Sequence, residues 1–339
     1  MITIKDIARV AGVSHTTVSR ALNGNPLIKK ETRDKIEKIA AELNYVPNFS
    51  AKSLVTRKSY TIGLFFSSID QGTSESFLVD VIKGIKHVLD ENYNLTVSGI
   101  DSIQHLDSIS RQRFDGILVI SQSDADNAFI YHVKKANIPL VVLNRQLEDT
   151  SIMNVIAGDR TGVKEAIEYA ISQGHRRLAM IEGRPDFKSA SERKQGFIES
   201  MLAKQIPVRP EYFASGDYTV ESGFSAMNVL LSLPKPPSMV LCSNDNMAIG
   251  AMNACYARGV SIPDQISLIG FDDIVFAQYT NPALTTIHRP IADISRLGTL
   301  KLIELMNDPD NTAIEQLFVK TRLIIRHTVT SIGENKSYS

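Results

Sequence analysis

From Tyr60 almost to the end of the chain, short apolar runs rich in β-branched residues alternate with amphipathic runs of helical length. Such apolar runs are typical of strands buried on both faces, and their alternation with helices is typical of right-handed βαβ units around a parallel sheet. The pattern predicts one set of strands in YTIGLFF, NLTVSGI, GILVI and LVVL and a second set in LAMIE, SMVLC and SLIGF. We therefore predict an α/β fold in which two doubly wound lobes face each other across a cleft.

The amphipathic runs between these strands predict helices. The predicted helices cover residues 77–92, 125–137, 159–173, 191–204, 220–233 and 245–258, with one more helical stretch between NLTVSGI and GILVI. The Ser-Ala-Ser-Glu run at residues 189–192 has the pattern of a capping box at the start of one of them.

Polar side chains come just after the predicted strands. Ser67 follows YTIGLFF, Gln122 follows GILVI and Asn144 follows LVVL in the first lobe. Asn244 and Asp272 come at the ends of strands of the second lobe. Ligands of open parallel sheets bind outside the carboxyl ends of the strands, so these residues are candidates for a small-molecule site. A polar residue in this position also commonly caps the next helix, and that interpretation stays open for each residue taken alone.

The N-terminal segment carries start and stop signals for three short helices. Residues 4–11 place apolar side chains in the i, i+3, i+4, i+7 pattern of a helix with one buried face. Gly12 can end this helix, and Ser14 can cap the next one, which lies in VSHTTVSRAL. A third helix is predicted for residues 30–44, after the Asn-Gly-Asn-Pro turn at residues 23–26. These helices can enclose one small core, with a tight turn between the first two.

The outward face of the second helix carries hydrogen-bonding side chains, namely His15, Thr16, Thr17, Ser19 and Arg20. Donors and acceptors on the N-terminal half of a short helix suit insertion into the major groove of DNA. A solvated helix of a bundle that binds nothing has the same composition, so these residues alone leave both interpretations open.

The charge of the chain is unevenly distributed, although its formal net charge is zero. Residues 1–58 contain 11 Lys and Arg against 5 Asp and Glu, whereas the remainder contains 26 against 32. A locally basic segment is the electrostatic footprint of a nucleic-acid-binding domain, whatever the total charge. The asymmetry therefore favours DNA as the partner of the N-terminal helices.

The segment after the third helix has the pattern of a hinge. Pro47 pushes the preceding residue out of the helical region and ends the third helix. Asn48 can cap a new, very short helix that reaches about residue 55, and a helix of this length is only marginally stable alone. A plain linker with a stray apolar residue, Leu54, is the alternative.

The longer patterns resemble those of a known family. IKDIARVAGVSHTTVSRALNG and ETRDKIEKIAAELNYVPNFSAKSL, with GHRR, ERKQGF, SNDNMAIGA, IGFDD and LTTIHRP further on, resemble the lactose-repressor (LacI/GalR) family of bacterial transcription regulators. The resemblance implies a helix-turn-helix headpiece at residues 1–46, a hinge helix and linker at 47–59, and an effector-binding and dimerisation core at 60–339.

The implied core is similar to periplasmic binding proteins. Its N-lobe would cover about residues 60–157 and 290–320, and its C-lobe about residues 158–289 and 321–339. The strands would cross between the lobes near residues 155–158, 286–290 and 320. The resemblance further implies a homodimer that binds a near-palindromic operator in double-stranded DNA and responds to a small-molecule effector.

The resemblance also implies roles for residues of the headpiece and the hinge. His15 and Thr16 would contact base edges, with Arg20 beside them. Leu54 would enter the minor groove at the centre of the operator, where an apolar wedge unstacks a base step and bends the DNA. The further expected DNA contacts are Ser14, Thr17, Ser19, Asn23, Lys29, Thr32, Asn48 and Ala51.

In the core, the effector-contacting positions of the family fall on Ser67, Arg193, Asn244 and Asp272, and an aromatic position falls on Tyr218. A guanidinium beside a carboxylate suits vicinal hydroxyl groups, and a tyrosine ring offers a face on which a sugar packs. Gln122 and Asn144 complete the expected effector site. Two departures from the family affect which ligand fits: the loop at residues 68–77 replaces N-P-F-F and would overhang the cleft, and Asn144-Arg145 stands where Asp-Arg is frequent.

Other chemistry finds little support in the sequence. The S-x-x-K run at residues 191–194 is not followed by K-T-G, and no phosphate-loop, dinucleotide, zinc-protease or nucleophile-elbow motif occurs. Cys242 and Cys255 lack partners at metal-binding spacing, so we expect two buried thiols, no metal site and no cofactor. No signal region and no apolar run of about 18 residues occurs, which predicts a cytoplasmic protein without a membrane partner.

Three classes of function share such a core: a ligand-responsive repressor, a solute-binding protein and a sugar enzyme. The headpiece and hinge favour the first, and we predict a repressor of carbohydrate-use genes that is released by a sugar or a sugar phosphate. A regulator that needs a corepressor, either a purine or a phosphorylated protein partner, is the alternative within that class.

Overall fold

The computed structural model describes residues 2–22, 25–45, 58–308, 310 and 312–332. The chain divides into two units, residues 1–59 and 60–339. Most of the predicted hinge, including Asn48, Ala51 and Leu54, lies outside the described residues, as does Asn23 of the predicted turn.

The described part of the first unit contains the helices α1 (Ile4–Ala11), α2 (His15–Leu22) and α3 (Lys30–Glu42). The two sequence signals that predicted a tight turn between α1 and α2 are both present in the structure. Gly12 ends α1 with a φ of 73°, and the backbone N–H of Thr17 donates to Ser14 Oγ at 3.1 Å. The core of the described part of this unit is centred on one fully buried side chain from each helix, Ile7, Val18 and Ile36.

The first sheet of the second unit forms the centre of one lobe, the N-lobe. Its strands are β1 (Thr61–Phe66), β2 (Asn94–Gly99), β3 (Gly116–Ile120), β4 (Leu140–Leu143), β5 (Met153–Ala157) and β11 (Gln316–Val319). They are all parallel, in the spatial order β11-β5-β4-β3-β1-β2. Helices α4 (Glu75–Lys86) and α10 (Ile291–Asn307) cover one face, and α5 (Asn127–Lys135) covers the other.

The second sheet forms the centre of the C-lobe. Its strands are β6 (Leu178–Ile181), β7 (Phe213–Ala214), β8 (Met239–Cys242), β9 (Ser267–Asp272), β10 (Thr286–His288) and β12 (Arg322–Ile324), in the order β12-β10-β9-β8-β6-β7. Only β12 runs antiparallel to its neighbour within this sheet. Helices α6 (Asp159–Ser172) and α7 (Lys188–Ala203) cover one face, and α8 (Val220–Leu231) and α9 (Asp245–Ala257) the other. The predicted α/β fold with two doubly wound lobes is confirmed.

The chain passes between the two lobes at three places. It leaves the N-lobe between β5 and α6, returns to it between β10 and α10, and leaves it again between β11 and β12. These crossings fall at residues 157–159, 288–291 and 319–322. No helix in the described ranges combines the length and the apolarity needed to cross a membrane.

Two local predictions are wrong. Instead of a helix between β2 and β3, the structure has two short 3₁₀ turns, Ile100–Ser102 and Leu106–Ser108. The apolar side chains of this stretch recur every three residues and pack against Phe114, a spacing that suits 3₁₀ geometry. The expected capping box at residues 189–192 is also absent, because α7 begins at Lys188 and Ser189 lies inside its first turn.

Candidate functional site

The outward face of α2 is open to solvent. Its exposed positions, including the capping residue, are Ser14, His15, Thr16 and Arg20. Thr17 and Ser19 are half-buried, and Thr17 Oγ1 lies 2.9 Å from Ser14 Oγ. At the start of α3, Lys29 is exposed and Thr32 is half-buried. The three side chains expected nearest to the bases therefore take no part in the core of the first unit.

A narrow cavity of about 30 Å³ lies between the N-lobe and the C-lobe. It is found at the carboxyl ends of the strands, where parallel sheets bind ligands. Its lining comes from both lobes and consists of Gly72, Ser74, Phe77, Gln122, Phe187, Ser189, Arg193, Tyr218, Asn244, Asp272 and Arg289. The lobes touch beside it, because the backbone N–H of Lys188 donates to the carbonyl oxygen of Gln122 at 2.9 Å.

The structure brings five of the seven expected effector residues to this cavity, namely Gln122, Arg193, Tyr218, Asn244 and Asp272. The other two, Ser67 and Asn144, lie behind the lining. Ser67 Oγ accepts from the backbone N–H of Gln122 at 2.8 Å and donates to Asp126 Oδ2 at 2.6 Å. Asn144 Nδ2 donates to Gln122 Oε1 at 2.8 Å. In this structure both residues hold Gln122 in place and do not face the cavity.

The sequence did not reveal six residues of the lining: Gly72, Ser74, Phe77, Phe187, Ser189 and Arg289. Arg289 directly follows β10, so the rule that selected the other strand-end residues would have found it if this three-residue strand had been recognised. Gly72, Ser74 and Phe77 belong to the loop at residues 68–77 that the sequence predicted to overhang the cleft. Ser189 was not expected in the lining, because the sequence pattern assigned it to a capping box.

Arg193 on α7 is a buried cation held by acceptors, with an exposed fraction of 2%. Its Nε and Nη2 lie 3.0 and 2.9 Å from Asp159 Oδ2, and its Nη1 donates to the carbonyl oxygen of Ser243. The guanidinium carbon lies 3.7 Å from the centre of the Phe271 ring. Burial alone would lower the pKa of Arg193, but Asp159 and Asp272 outweigh it and raise that pKa, so the side chain is charged.

Asp272, the last residue of β9, contributes a carboxylate to the lining that can accept hydrogen bonds. Its φ of 105° lies in the left-handed region that residues other than glycine rarely adopt and that is found at functional sites. Its Oδ1 is buried and accepts no hydrogen bond from the described residues, and Arg193 Nη2 lies 3.8 Å away. Burial raises the pKa of Asp272, while Arg193 and Arg289 oppose the rise. A ligand hydroxyl would supply the donor that this oxygen lacks.

Aromatic rings and an amide complete the lining. The rings of Phe187 and Tyr218 stack with their centres 5.9 Å apart and their planes at 24°. Asn244 caps α9 by accepting from the backbone N–H of Met247 at 2.9 Å, and its Nδ2 donates to the carbonyl oxygen of Tyr218 at 3.0 Å. The cavity therefore combines apolar faces with charged and amide groups, as small-molecule sites do.

Known proteins share both units of the chain. The family model described as bacterial regulatory proteins, lacI family, matches residues 3–48, and the model described as a periplasmic binding protein-like domain matches residues 167–329. Over 329 residues the chain is 53% identical to the "Probable HTH-type transcriptional repressor ExuR" of Bacillus subtilis strain 168, covering 97% of this chain and 98% of the relative. The chain belongs to the lacI family of bacterial regulatory proteins.

Further members of the lacI family resemble the chain along its length. The ribose operon repressor of Haemophilus influenzae is 31% identical over 339 residues, which cover 98% of this chain and all of the relative. The crystal structure of the lac repressor dimer bound to operator and the anti-inducer ONPF matches with a TM-score of 0.82 at 26% identity, covering 97% of this chain and 99% of that one. The predicted family is confirmed, and the chain is a lacI-family transcriptional repressor with a DNA-binding helix-turn-helix.

Proposed function

We propose that this lacI-family member represses genes of carbohydrate use and that a sugar or sugar phosphate releases it from its operator. The observation that carries the proposal is the cavity whose lining converges from both lobes. A ligand in such a cavity contacts both lobes, so its affinity depends on the angle between them. This differential affinity is what a ligand needs to shift a conformational equilibrium.

The chemistry of the lining suits a ligand with several hydroxyl groups, and the lobes must move apart to admit one, because the cavity of about 30 Å³ has room for about one water molecule. Arg193 Nη2 and the unpaired Oδ1 of Asp272 lie 3.8 Å apart, so adjacent hydroxyls can accept from the first and donate to the second. The stacked rings of Phe187 and Tyr218 offer an apolar face. Arg289 adds a second guanidinium, the group that suits the oxygens of a phosphate. The name of one relative, the ribose operon repressor, also points to a sugar.

On the DNA side, His15 and Thr16 contact base edges, Arg20 lies beside them, and Lys29 neutralises a phosphate. Their exposure supports this assignment, because these side chains are free to meet DNA without any change in the core of the first unit. The protein acts where operator DNA is, in the cytoplasm. The proposal also includes minor-groove insertion of Leu54 and further contacts from Ser14, Thr17, Ser19, Asn23, Thr32, Asn48 and Ala51.

The operator-bound form is a homodimer. Val275, Phe276 and Tyr279, in and just after one short turn of the C-lobe, are 65%, 69% and 73% exposed. Clusters of large exposed apolar side chains mark interaction surfaces, and a twofold arrangement would cover both copies at once. Such a dimer matches a near-palindromic operator whose half-sites are about one helical turn apart.

A corepressor that tightens DNA binding is the second candidate. A purine corepressor would require aromatic surfaces on both sides of its ring. In the cavity, however, the rings of Tyr218 and Phe187 stack on each other. Phe77 adds a third ring to the lining from the N-lobe, so the rings alone do not separate a purine from a sugar, and the direction of the response separates the two candidates.

A thermal melt of the full chain against a compound panel tests the proposal. The panel contains aldoses, disaccharides, sugar acids, sugar phosphates and purines. We expect a raised melting temperature with one carbohydrate class, because a ligand that binds only the folded state stabilises it. A shift with purines alone would favour the corepressor, and no shift with any compound would reject a small-molecule switch in this cavity.

A further inference from the structure

Asp159 is a buried carboxylate outside the expected effector set. It begins α6, directly after the chain has left the N-lobe, and is 5% exposed. Its Oδ2 lies 3.0 Å from Nε and 2.9 Å from Nη2 of Arg193. Its Oδ1 lies 3.1 Å from Nε of Arg289. One carboxylate thus joins the two guanidinium groups of the cavity lining.

Arg289 continues these contacts into the N-lobe. It follows β10, where the chain returns from the C-lobe. Its Nη2 donates to Asn144 Oδ1 at 2.5 Å, and Asn144 Nδ2 donates to Gln122 Oε1 at 2.8 Å. We name Arg193, Asp159, Arg289, Asn144 and Gln122 the crossover relay. Both ends of the relay lie in the cavity lining, and it includes residues at two of the three crossings.

The contact between Asp159 and Arg289 is the least well formed of the relay. Asp159 Oδ1 and Arg289 Nε are 3.1 Å apart but too bent for a hydrogen bond, and neither atom has another hydrogen-bond partner among the described residues. The two buried atoms therefore form an ion pair without a hydrogen bond, and a small rotation of either side chain changes its geometry. Because the two residues stand at different crossings, the contact depends on the angle between the lobes.

We propose that the crossover relay transmits occupancy of the cavity to the lobe angle, with Asp159 and Arg289 as positioning residues. A ligand that binds Arg193 alters its bonds to Asp159, and the change at Asp159 alters the contact with Arg289. Arg289 passes the change to Asn144 in the N-lobe. The inference rests on the proposed function for the sugar that starts the change, whereas the link between the lobes can be tested without any ligand.

The test measures the distance between the lobes in the full chain. Lys135→Cys on α5 and Lys204→Cys just after α7 place spin labels at exposed positions of the N-lobe and the C-lobe. Pulsed electron resonance then gives the distance distribution in the absence of ligand. Arg289→Met and Asn144→Ala each remove the Arg289–Asn144 contact, and we expect both to add a second distance to the distribution.

Arg160→Met is the matched control. Arg160 follows Asp159 in sequence, but its carboxylate partners, Glu192 and Glu199, belong to the same lobe. We expect the control to keep the wild-type distribution. Wild-type distributions in both Arg289→Met and Asn144→Ala would overturn the relay, as would an equal change in the control. If Arg289→Met fails to fold, Asn144→Ala decides alone.

Operator affinity gives a second measurement without ligand. Asp159→Asn and Arg289→Met both remove the Asp159–Arg289 ion pair, so we expect each to change operator affinity by about threefold or more and the double variant to change it by less than the product of the two single changes. Additive changes would contradict a shared path. If the wild type responds to no sugar in the melt, the proposed function fails, while both measurements still decide whether the relay couples the lobes.

Discussion

The proposed DNA-binding face and the proposed effector cavity of this repressor use polar side chains in opposite ways. On α2, His15, Thr16 and Arg20 are exposed and take no part in the buried core. In the cavity, Arg193 and Arg289 are 2% and 5% exposed, and both contact Asp159. The DNA-binding face can therefore change without a change in the fold, whereas the cavity is part of what holds the lobes together.

The difference follows from the partners. DNA brings its own phosphates and base edges, so the side chains that meet it can remain in water until it arrives. A small ligand cannot neutralise several buried charges, and charges without water need partners from the protein itself. We therefore expect the cavity charges to serve stability as well as the proposed recognition of a ligand, and the variants below separate the two roles.

The largest effect is expected for Asp159→Ala. This change leaves the guanidinium groups of Arg193 and Arg289 buried without their shared carboxylate, and breaking a buried pair costs about 3–5 kcal/mol. Urea unfolding followed by circular dichroism at neutral pH measures the loss. Glu192→Ala is the control, because this carboxylate is 48% exposed and such pairs contribute less than about 1 kcal/mol. Equal losses in the two variants would show that the cavity charges do not support the fold.

Substitutions on the outward face of α2 should weaken DNA binding without lowering the stability of the fold. His15→Ala or Thr16→Ala should weaken binding to the preferred operator by about 1–3 kcal/mol and change the preferred sequence, because a base contact is lost. The free energy of unfolding should stay at the wild-type value. Selection from random DNA together with urea unfolding checks both parts. An unchanged preference, or a large loss of stability, would place these side chains in the fold instead of on the DNA.

The same contrast explains how much the sequence could predict. The helices of the first unit follow from local signals, such as Gly12 after α1 and the Ser14 cap before α2, and the structure has them where these signals stand. The strand-end rule found three cavity residues, Gln122, Asn244 and Asp272, for a similar reason, since each follows an apolar run. Arg193 and Tyr218 were expected only from the family resemblance. Arg289 follows only a three-residue strand. The role of Asp159 depends on ion-pair partners that lie far along the chain. No local pattern contains such tertiary pairings.

Asp272→Asn tests whether the cavity carboxylate binds the ligand. An amide cannot replace both acceptor atoms, so we expect about tenfold weaker sugar affinity by titration calorimetry, roughly 1.4 kcal/mol. Stability at neutral pH should not fall, because the raised pKa of Asp272 means that burial already disfavours its charged form. Asp107→Asn, at an exposed position, is the control and should bind as the wild type does.

The same pKa predicts a pH dependence with a defined sign. A carboxyl group whose pKa is raised on folding becomes protonated as the pH falls through that raised value, and the protonated form is the less capable acceptor. Sugar affinity of the wild type should therefore decrease as the pH falls from neutral through the raised pKa of Asp272. The sugar affinity of the Asp272→Asn variant should not show this decrease at low pH. Parallel profiles for the two proteins would assign the titration to another group.

Lys29→Ala should give the smallest effect. A phosphate contact carries no sequence information, so affinity should fall alike for all DNA sequences, and the slope of log affinity against log salt should decrease by about one. Anisotropy titrations at several salt concentrations measure both quantities. A change in sequence preference would instead mean that Lys29 contacts a base.

Release of the operator by a sugar is the most direct measurement. The wild-type protein is bound to its selected operator, and the compound that raises the melting temperature most is titrated into the complex while anisotropy reports the bound DNA. We expect the operator affinity to fall at least fivefold, a coupling of about 1 kcal/mol or more. Unchanged affinity, or tighter binding, would contradict a repressor that sugar releases.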